Sequence, residues 1–411
     1  MAGATLGLDA CDFVLSETLA EQQRLVVQTP SLGLKQNVVR WLPGGGGGTP
    51  VALSGSWDDE ANELALWSVE LAGSAMDDGT GIQSAAKRLC GAAHAGDVLG
   101  LEFGGGVGGQ PLVAFTASGA GGVSCFSVDV HPDGAAEILP LWERRSAPAS
   151  GLATLGIGYR ADAGGVAAVG EDGAVAVLRP DNGEAVWRAQ SGEPALMDAC
   201  WWDAHTVVTA GTSLGLWDVR AKAGAAPALA LAPAASQGRA AHMSAQLTCI
   251  AVEKHPPCRL AAGASDGAVH LWDVRAAAAA GRPHGAAPPT HSWTAHAEDV
   301  WDVQFCAESS SLCSASAGQL LFSCGSDCSL QAWELGGAVG VGGAAPKPAE
   351  TPPFGTGGAL MEHDGRARTD APPSRSLVEL PLPINSLDAS EQYGMLASAS
   401  DAQVLTFIDM R

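Results

Sequence analysis

Residues 262–275 read AGASDGAVHLWDVR, and the organisation of the chain follows from this stretch. Three small residues lead into Ser265-Asp266-Gly267, and apolar residues then alternate through Val269-His270-Leu271-Trp272. Alternation with period two is the mark of a half-buried strand. A Ser-Asp-Gly step ahead of it is turn chemistry, because Gly accepts positive φ and the Asp side chain bonds the backbone. The stretch therefore reads as strand, tight turn, strand.

The same outline recurs. Residues 210–220 read AGTSLGLWDVR, 323–335 read SCGSDCSLQAWEL and 54–70 read SGSWDDEANELALWSVE. Weaker copies without the Trp occupy Thr116–Val128, Val169–Pro180 and Ala397–Met410. That makes seven units, anchored near Trp67, Phe126, Leu178, Trp217, Trp272, Trp333 and Phe407 at intervals of 39 to 74 residues. A blade of a WD-type β-propeller takes roughly 40–45 residues, so seven need roughly 280–315. The expected fold is all-β, a seven-bladed WD-repeat β-propeller with Ala/Gly/Pro-rich loop insertions. The surplus falls in an N-terminal extension, residues 1–35, and in irregular inserts near 221–240, 276–290 and 336–376, which read as loops or linkers. The propeller itself is expected to span 36–411. A ring of blades must be closed, and Gln36–Leu42 (QNVVRWL) is the expected outer strand of the last blade.

Composition narrows the function classes. Hydrophobic residues make up 46 % of the 411, enough for a core. The chain has 22 Lys and Arg against 44 Asp and Glu, a net charge of −22. Such a surface repels phosphate, which argues against direct nucleic-acid or anionic-membrane binding. Of the aromatic residues 12 are Trp, against 2 Tyr and 8 Phe, so the repeat selects Trp. The 10 Cys form no CxxC pair, which argues against zinc and fits buried thiols in a reducing compartment. The first residues lack the basic-then-apolar order of a secretory signal, and no apolar run reaches about 18 residues. The expected protein is soluble and intracellular, without a cofactor and without membrane insertion.

Several motifs resemble catalytic ones and have a repeat-based reading. His296, Ser323, Asp327 and Trp333 fit the hydrogen-bonded tetrad of a blade, in which Asp orients His, His meets Ser and Ser meets the indole. The competing reading is a Ser/His/Asp nucleophile. His94 and Asp97 begin a second copy, left incomplete by Phe126. Gly211-Thr212-Ser213-Leu214-Gly215 spells a nucleophile elbow, but the elbow needs a following helix and a strand follows here. Gly104–Gly109 fits GxGxxG in spelling, with no helix pattern after it. Trp187, Trp201 and Trp202 read as core rather than an aromatic cage. Trp67, Trp217 and Trp272 are structural blade anchors.

Two sets of residues are candidate partner contacts. Asp58, Asp59 and Glu60, with Glu63, lie in an elongated hairpin of the first blade. They read as a solvated loop, with a partner contact as the functional alternative. Two consecutive blades end in Trp-Asp-Val-Arg, at Trp217–Arg220 and Trp272–Arg275. Arg220 and Arg275 there resemble the WDxR box by which propeller substrate receptors dock on the adaptor of cullin-4 ubiquitin ligases, and Asp and Arg at strand ends also pair internally.

The residues also carry a family resemblance. SGSWDDEANELALWSV (54–69), with its elongated hairpin, resembles the first-blade signature of the small seven-bladed WD-repeat nucleoporins of the Y-shaped outer-ring scaffold. HAGDVLGLEF (94–103), GEDGAVAVLRPDNGEAVW (170–187), HAEDVWDVQF (296–305) and LPLPINSLDASEQYGMLASASDAQVLTF (380–407) agree in order. The resemblance implies a non-enzymatic scaffold subunit at the nuclear envelope that supports nucleocytoplasmic transport. It also implies as partners an α-solenoid subunit on the short arm of the Y and a second small propeller.

Overall fold

A computed structural model describes residues 26–44, 49–70, 85–106, 111–131, 134–145, 152–233, 245–253, 258–279, 287–306, 319–335 and 371–410. Its strands form seven antiparallel sheets of four. Blade 1 comprises Lys35–Trp41, Val51–Trp57, Asn62–Glu70 and Ala85–His94, from the axis outward. Blade 2 is Val98–Gly104, Val113–Ser118, Gly122–Val130 and Ala136–Arg144. Blade 3 is Thr154–Arg160, Gly165–Gly170, Ala174–Leu178 and Ala185–Gln190. Blade 4 is Asp198–Trp201, Thr206–Ala210, Leu214–Asp218 and Leu229–Leu231. Blade 5 is Leu247–Val252, Arg259–Ala264, Ala268–Asp273 and His291–Thr294. Blade 6 is Val300–Cys306, Gln319–Gly325, Ser329–Leu335 and Ser374–Glu379. Blade 7 is Ile384–Ser390, Met395–Ser400 and Leu405–Asp409, completed by Val26–Gln28. The fold is the expected seven-bladed β-propeller.

Three expectations need correction. The strand that closes the ring is Val26–Gln28, with Val27 opposite Phe407, not Gln36–Leu42. Lys35–Trp41 is the innermost strand of blade 1 instead. The ring therefore includes residues ahead of the expected start at 36, while residues 1–25 lie outside those described. The Ala/Pro-rich stretches are also more than loops. Leu229–Leu231 is the outer strand of blade 4, Val274–Ala279 forms a short helix, and Ser374–Glu379 is the outer strand of blade 6. Of the last insert, residues 336–370 lie outside the described set.

The third correction concerns the seventh anchor. In blade 6 Trp333 lies opposite Leu321, two residues before Ser323. The residue in the same register of blade 7 is Ile408, opposite Leu396 and two before Ser398. Phe407 points to the other face and packs on Trp41 of blade 1, with ring centroids 5.4 Å apart.

The core is distributed among the joints. Seven buried clusters each draw on two neighbouring blades. Trp67, Trp217, Trp272 and Trp333 fill the joint with the preceding blade. Burying one such side chain is worth upward of about 2 kcal/mol, which is why the repeat retains large apolar residues at this position. Trp187 and Trp201 are buried in the joint of blades 3 and 4.

Candidate functional site

Antiparallel order places the hairpins between second and third strands, and the loops between blades, on one face, here the upper face. The inner strands start there and end at the lower face. A channel runs along the axis, with a cavity of about 330 Å³ at the upper mouth and one of about 620 Å³ at the lower. Both cavities are lined by Arg40, Glu102 and Asp302.

Charged side chains in the channel act as latches between blades. Asp198 Oδ2 accepts from Ile250 N at 2.9 Å, joining blades 4 and 5. Asp302 Oδ2 accepts from Leu387 N at 3.0 Å, joining 6 and 7. Asp388 Oδ2 accepts from Trp41 N at 2.7 Å, joining 7 and 1. Arg40 donates to Ser386 Oγ at 2.8 Å and lies 3.5 Å from Asp302. Burial works against the Arg40 charge, but Asp302 and Asp388 outweigh it and raise its pKa. Burial, with Asp302 nearby, pushes the Asp198 carboxyl up to about 7 despite its backbone donors.

The tetrad residues meet in blade 6. His296 Nδ1 lies 2.9 Å from Asp327 Oδ1, and Nε2 lies 2.7 Å from Ser323 Oγ. Trp333 Nε1 donates to the same hydroxyl at 2.8 Å. Indole can only donate and carboxylate only accept, so Ser323 donates to Nε2 while Nδ1–H donates to Asp327. Burial alone would raise the Asp327 carboxyl, but hydrogen bonds from His296, Ala297 N and Ser329 hold it below the usual range. Ser323 is fully buried, so a substrate has no path to this Ser–His–Asp chain.

Other blades keep parts of this network. Trp67 donates to Ser54 at 3.0 Å and Trp217 to Thr209 at 3.0 Å. His94 meets Thr116 at 2.9 Å, beside Phe126 in place of the indole. Trp272 finds Ala262 at the hydroxyl position and donates instead to Ala287 O at 3.2 Å. Ser398 lies opposite Thr406 with Ile408 in the indole position, and its buried hydroxyl has no partner among the described residues.

The acidic hairpin of blade 1 is a clamp as well as a solvated turn. Asp58 has φ of 57° and pairs with Lys35 at 2.5 Å. Its backbone N–H and the Asn62 amide both donate to Asp97 Oδ1, at 2.9 and 3.0 Å, reaching toward blade 2. Trp57 reaches the other way, to Asp401 of blade 7. Asp59 accepts from Ala61 N within the turn, Glu60 is exposed, and Glu63 pairs with Arg88 at 2.6 Å.

The two Trp-Asp-Val-Arg ends diverge. Arg220 donates from Nε and Nη2 to both oxygens of Asp218, at 2.9 and 2.8 Å, and holds that carboxyl down at about 2. Arg275 lies in the first turn of the helix Val274–Ala279, where Asp273 Oδ1 accepts from Arg275 N and Ala276 N. Both arginines are exposed on the lower face, but only Arg220 is committed to its own aspartate. Of Gly211–Gly215, residues 211–213 are the shortened hairpin of blade 4 between Thr206–Ala210 and Leu214–Asp218, and Leu214 and Gly215 begin the second of these strands. Of the GxGxxG match, residues 107–109 lie outside the described residues.

Comparison with known proteins agrees with this geometry. The family described as "WD domain, G-beta repeat" matches residues 237–273, which include the second and third strands of blade 5. Nucleoporin Nup43 of Mus musculus is 27 % identical over 322 residues, covering 73 % of each chain. Nucleoporin Nup43 of Homo sapiens is 26 % identical over 322 residues, with the same coverage. The chain is thus similar to Nup43 over most of its length and carries a WD-repeat match. Its hairpin contacts, Trp57 to Asp401 at the seam and Asp58 N to Asp97 toward blade 2, are not legible in the sequence, because nothing in the local pattern ties a hairpin to turns 344 and 39 residues away.

Proposed function

We propose that this chain is a non-enzymatic scaffold subunit of the nuclear pore outer ring, acting at the nuclear envelope by binding other proteins. The carrying observation is the similarity to two curated nucleoporins over 73 % of the chain. The architecture supports it: blades joined by buried clusters make a rigid disc, and rigid discs present loops and edges to partners at small entropic cost. The partners of this reading are other subunits of the Y-shaped complex, namely an α-solenoid subunit of the short arm and a second small propeller. Anchors within a polar rim would carry the affinity.

Affinity purification of the tagged chain from its own cells tests this reading. Stoichiometric recovery of other outer-ring nucleoporins is the expected result. Recovery of the cullin-4 adaptor without nucleoporins would overturn it, and Arg220 and Arg275 would become the residues to map. The Asp218 clamp on Arg220 weighs against that outcome, because an adaptor would have to displace a bidentate ion pair.

A further inference from the structure

The upper mouth of the channel is built by one repeated irregularity. Bulges near the start of six inner strands extrude Asn37, Leu99, Leu155, Thr248, Trp301 and Asn385 from the ladder. Bulges re-aim side chains, and all six line the upper cavity together with Met197 of blade 4. The polar members are spent as latches. Asn37 donates to Val98 O at 2.8 Å, Asn385 to Gln36 O at 3.2 Å, and Thr248 to Val300 O. The apolar members join no neighbouring blade: Leu99, Leu155 and Met197 offer only apolar surface, and Trp301 Nε1 donates to Ser326 Oγ at 2.7 Å within blade 6, which fixes the ring at the mouth. They are half-buried or exposed, Trp301 at 36 %, around a cavity with room for one or two side chains of a partner.

Acidic residues predominate on the rim. Asp58, Asp59, Glu60, Glu171, Asp266 and Glu298 are exposed on the upper hairpins and inter-blade loops. Lys35, already paired with Asp58, and Arg144 and Arg145 at the upper end of blade 2 oppose them. Apolar side chains left open at the mouth, on Leu99, Leu155 and Met197 of three consecutive blades with Trp301 across the channel, mark an interaction site, and an acidic collar selects a cationic visitor and repels nucleic acid.

We propose that the upper mouth binds a short basic segment of a partner protein. An aliphatic side chain enters between Leu99, Leu155, Met197 and Trp301, and flanking Lys or Arg residues meet the acidic rim. The inference deepens the scaffold reading and rests on it.

The test is a fluorescence-anisotropy titration of the full chain with a labelled probe peptide, Lys-Arg-Leu-Leu-Arg-Lys. Two comparison peptides replace the leucines by glycine, or the basic residues by Glu. The expected result is saturable binding of the basic leucine peptide alone, weakened by added salt. Binding should fall at least about tenfold in Trp301→Arg and in Met197→Lys, each checked for native circular dichroism, and persist in Leu141→Lys on the outer edge of blade 2. Equal binding of the glycine peptide, unchanged binding by folded Trp301→Arg and Met197→Lys, or no saturation by millimolar peptide would each overturn the proposal. Purification of tagged wild type and Trp301→Arg from cells separates the two readings. Nucleoporins recovered equally with both would sink this inference alone. None recovered with wild type would sink the scaffold reading and leave the titration to decide the mouth.

Discussion

The Trp57 indole donates to Asp401 Oδ1 at 2.9 Å, joining two residues 344 apart in the chain. This bond bridges the first and last blades, where the ring is closed by the three-residue strand Val26–Gln28. Asp401 also accepts from Asn385 at 2.7 Å, and Lys35 lies over the Trp57 ring at 5.7 Å while pairing with Asp58. The elongated hairpin of blade 1 therefore fastens the seam that a short closing strand leaves weak.

Trp57→Phe should lower the unfolding free energy by about 1–2 kcal/mol, since it removes a hydrogen bond to a carboxylate and keeps most of the ring. Lys35→Ala should lower it by less than about 1 kcal/mol, because both partners of that ion pair are substantially exposed. Urea denaturation followed by Trp fluorescence measures both. A larger loss for Lys35→Ala than for Trp57→Phe would show that the seam is not held by the indole.

The depressed Asp327 carboxyl makes the blade 6 tetrad acid-labile. The unfolded carboxyl titrates near about 3.9. Above that value the folded protein gains stability from binding the ionised form, and the gain is lost as pH falls through the lower folded value. Asp327→Asn should be less stable than wild type at pH 7, and the gap should narrow as pH is taken below about 4. A gap that stays constant with pH would show that the carboxylate charge is immaterial.

Asp198 should act in the opposite sense. Its folded value, about 7, lies above the unfolded one. Between about pH 4 and 7 the folded state keeps a proton that the unfolded state has released, so stability from this group falls as pH rises. The side chain is only half-buried, which bounds the effect. Asp198→Asn should therefore gain on wild type between pH 5 and pH 8. Thermal melts at the two values measure it, and parallel shifts in both proteins would refute a titrating Asp198.

The joint between blades 3 and 4 is drawn tight at two glycines of the inner strand Thr154–Arg160. A Cβ on Gly156 would lie 2.4 Å from the Asp198 Cα, and one on Gly158 would lie 2.6 Å from Ala199 O. These contacts are backbone, so no rotamer can relieve them. Gly156→Ala should destabilise by about 3 kcal/mol or force the joint apart. A melting temperature within a degree or so of wild type would contradict the close approach.

How far the sequence is legible depends on how local each signal is. The ten-residue step from hydroxyl to indole, Ser323 to Trp333, and its lengthened and shortened forms, Ser54 to Trp67 and Thr209 to Trp217, are local, and they carry the blade count. Val26–Gln28 is too short to show alternation, so the stronger pattern of QNVVRWL drew the closing role although it builds an inner strand. Phe407 drew the anchor position because it is aromatic, but a one-residue slip in a strand sends a side chain to the opposite face, and the pairing with Leu396 gives that place to Ile408. Leu229–Leu231 was hidden in an Ala-rich run whose periodicity small residues blur. The upper mouth was out of reach, because its bulged residues converge from separate blades.

The corrected register makes a paired expectation for two serines in the same position of neighbouring blades. Ser323→Ala strands the Trp333 indole and His296 Nε2 in a buried site, and should cost about 2–4 kcal/mol. Ser398 is equally buried at 1 %, but the indole position beside it holds Ile408, which offers no donor or acceptor, and its hydroxyl makes no bond to its cross-strand partner Thr406 or to any other described residue. Ser398→Ala removes a polar atom that lost its water on folding, so it should be neutral or stabilising by up to about 1 kcal/mol. Urea midpoints of the two variants give opposite signs if Ile408 holds the indole position. If Ser398→Ala is destabilising to the same degree as Ser323→Ala, the seventh blade carries a hydroxyl network of its own, and the Ser398–Ile408 assignment is wrong.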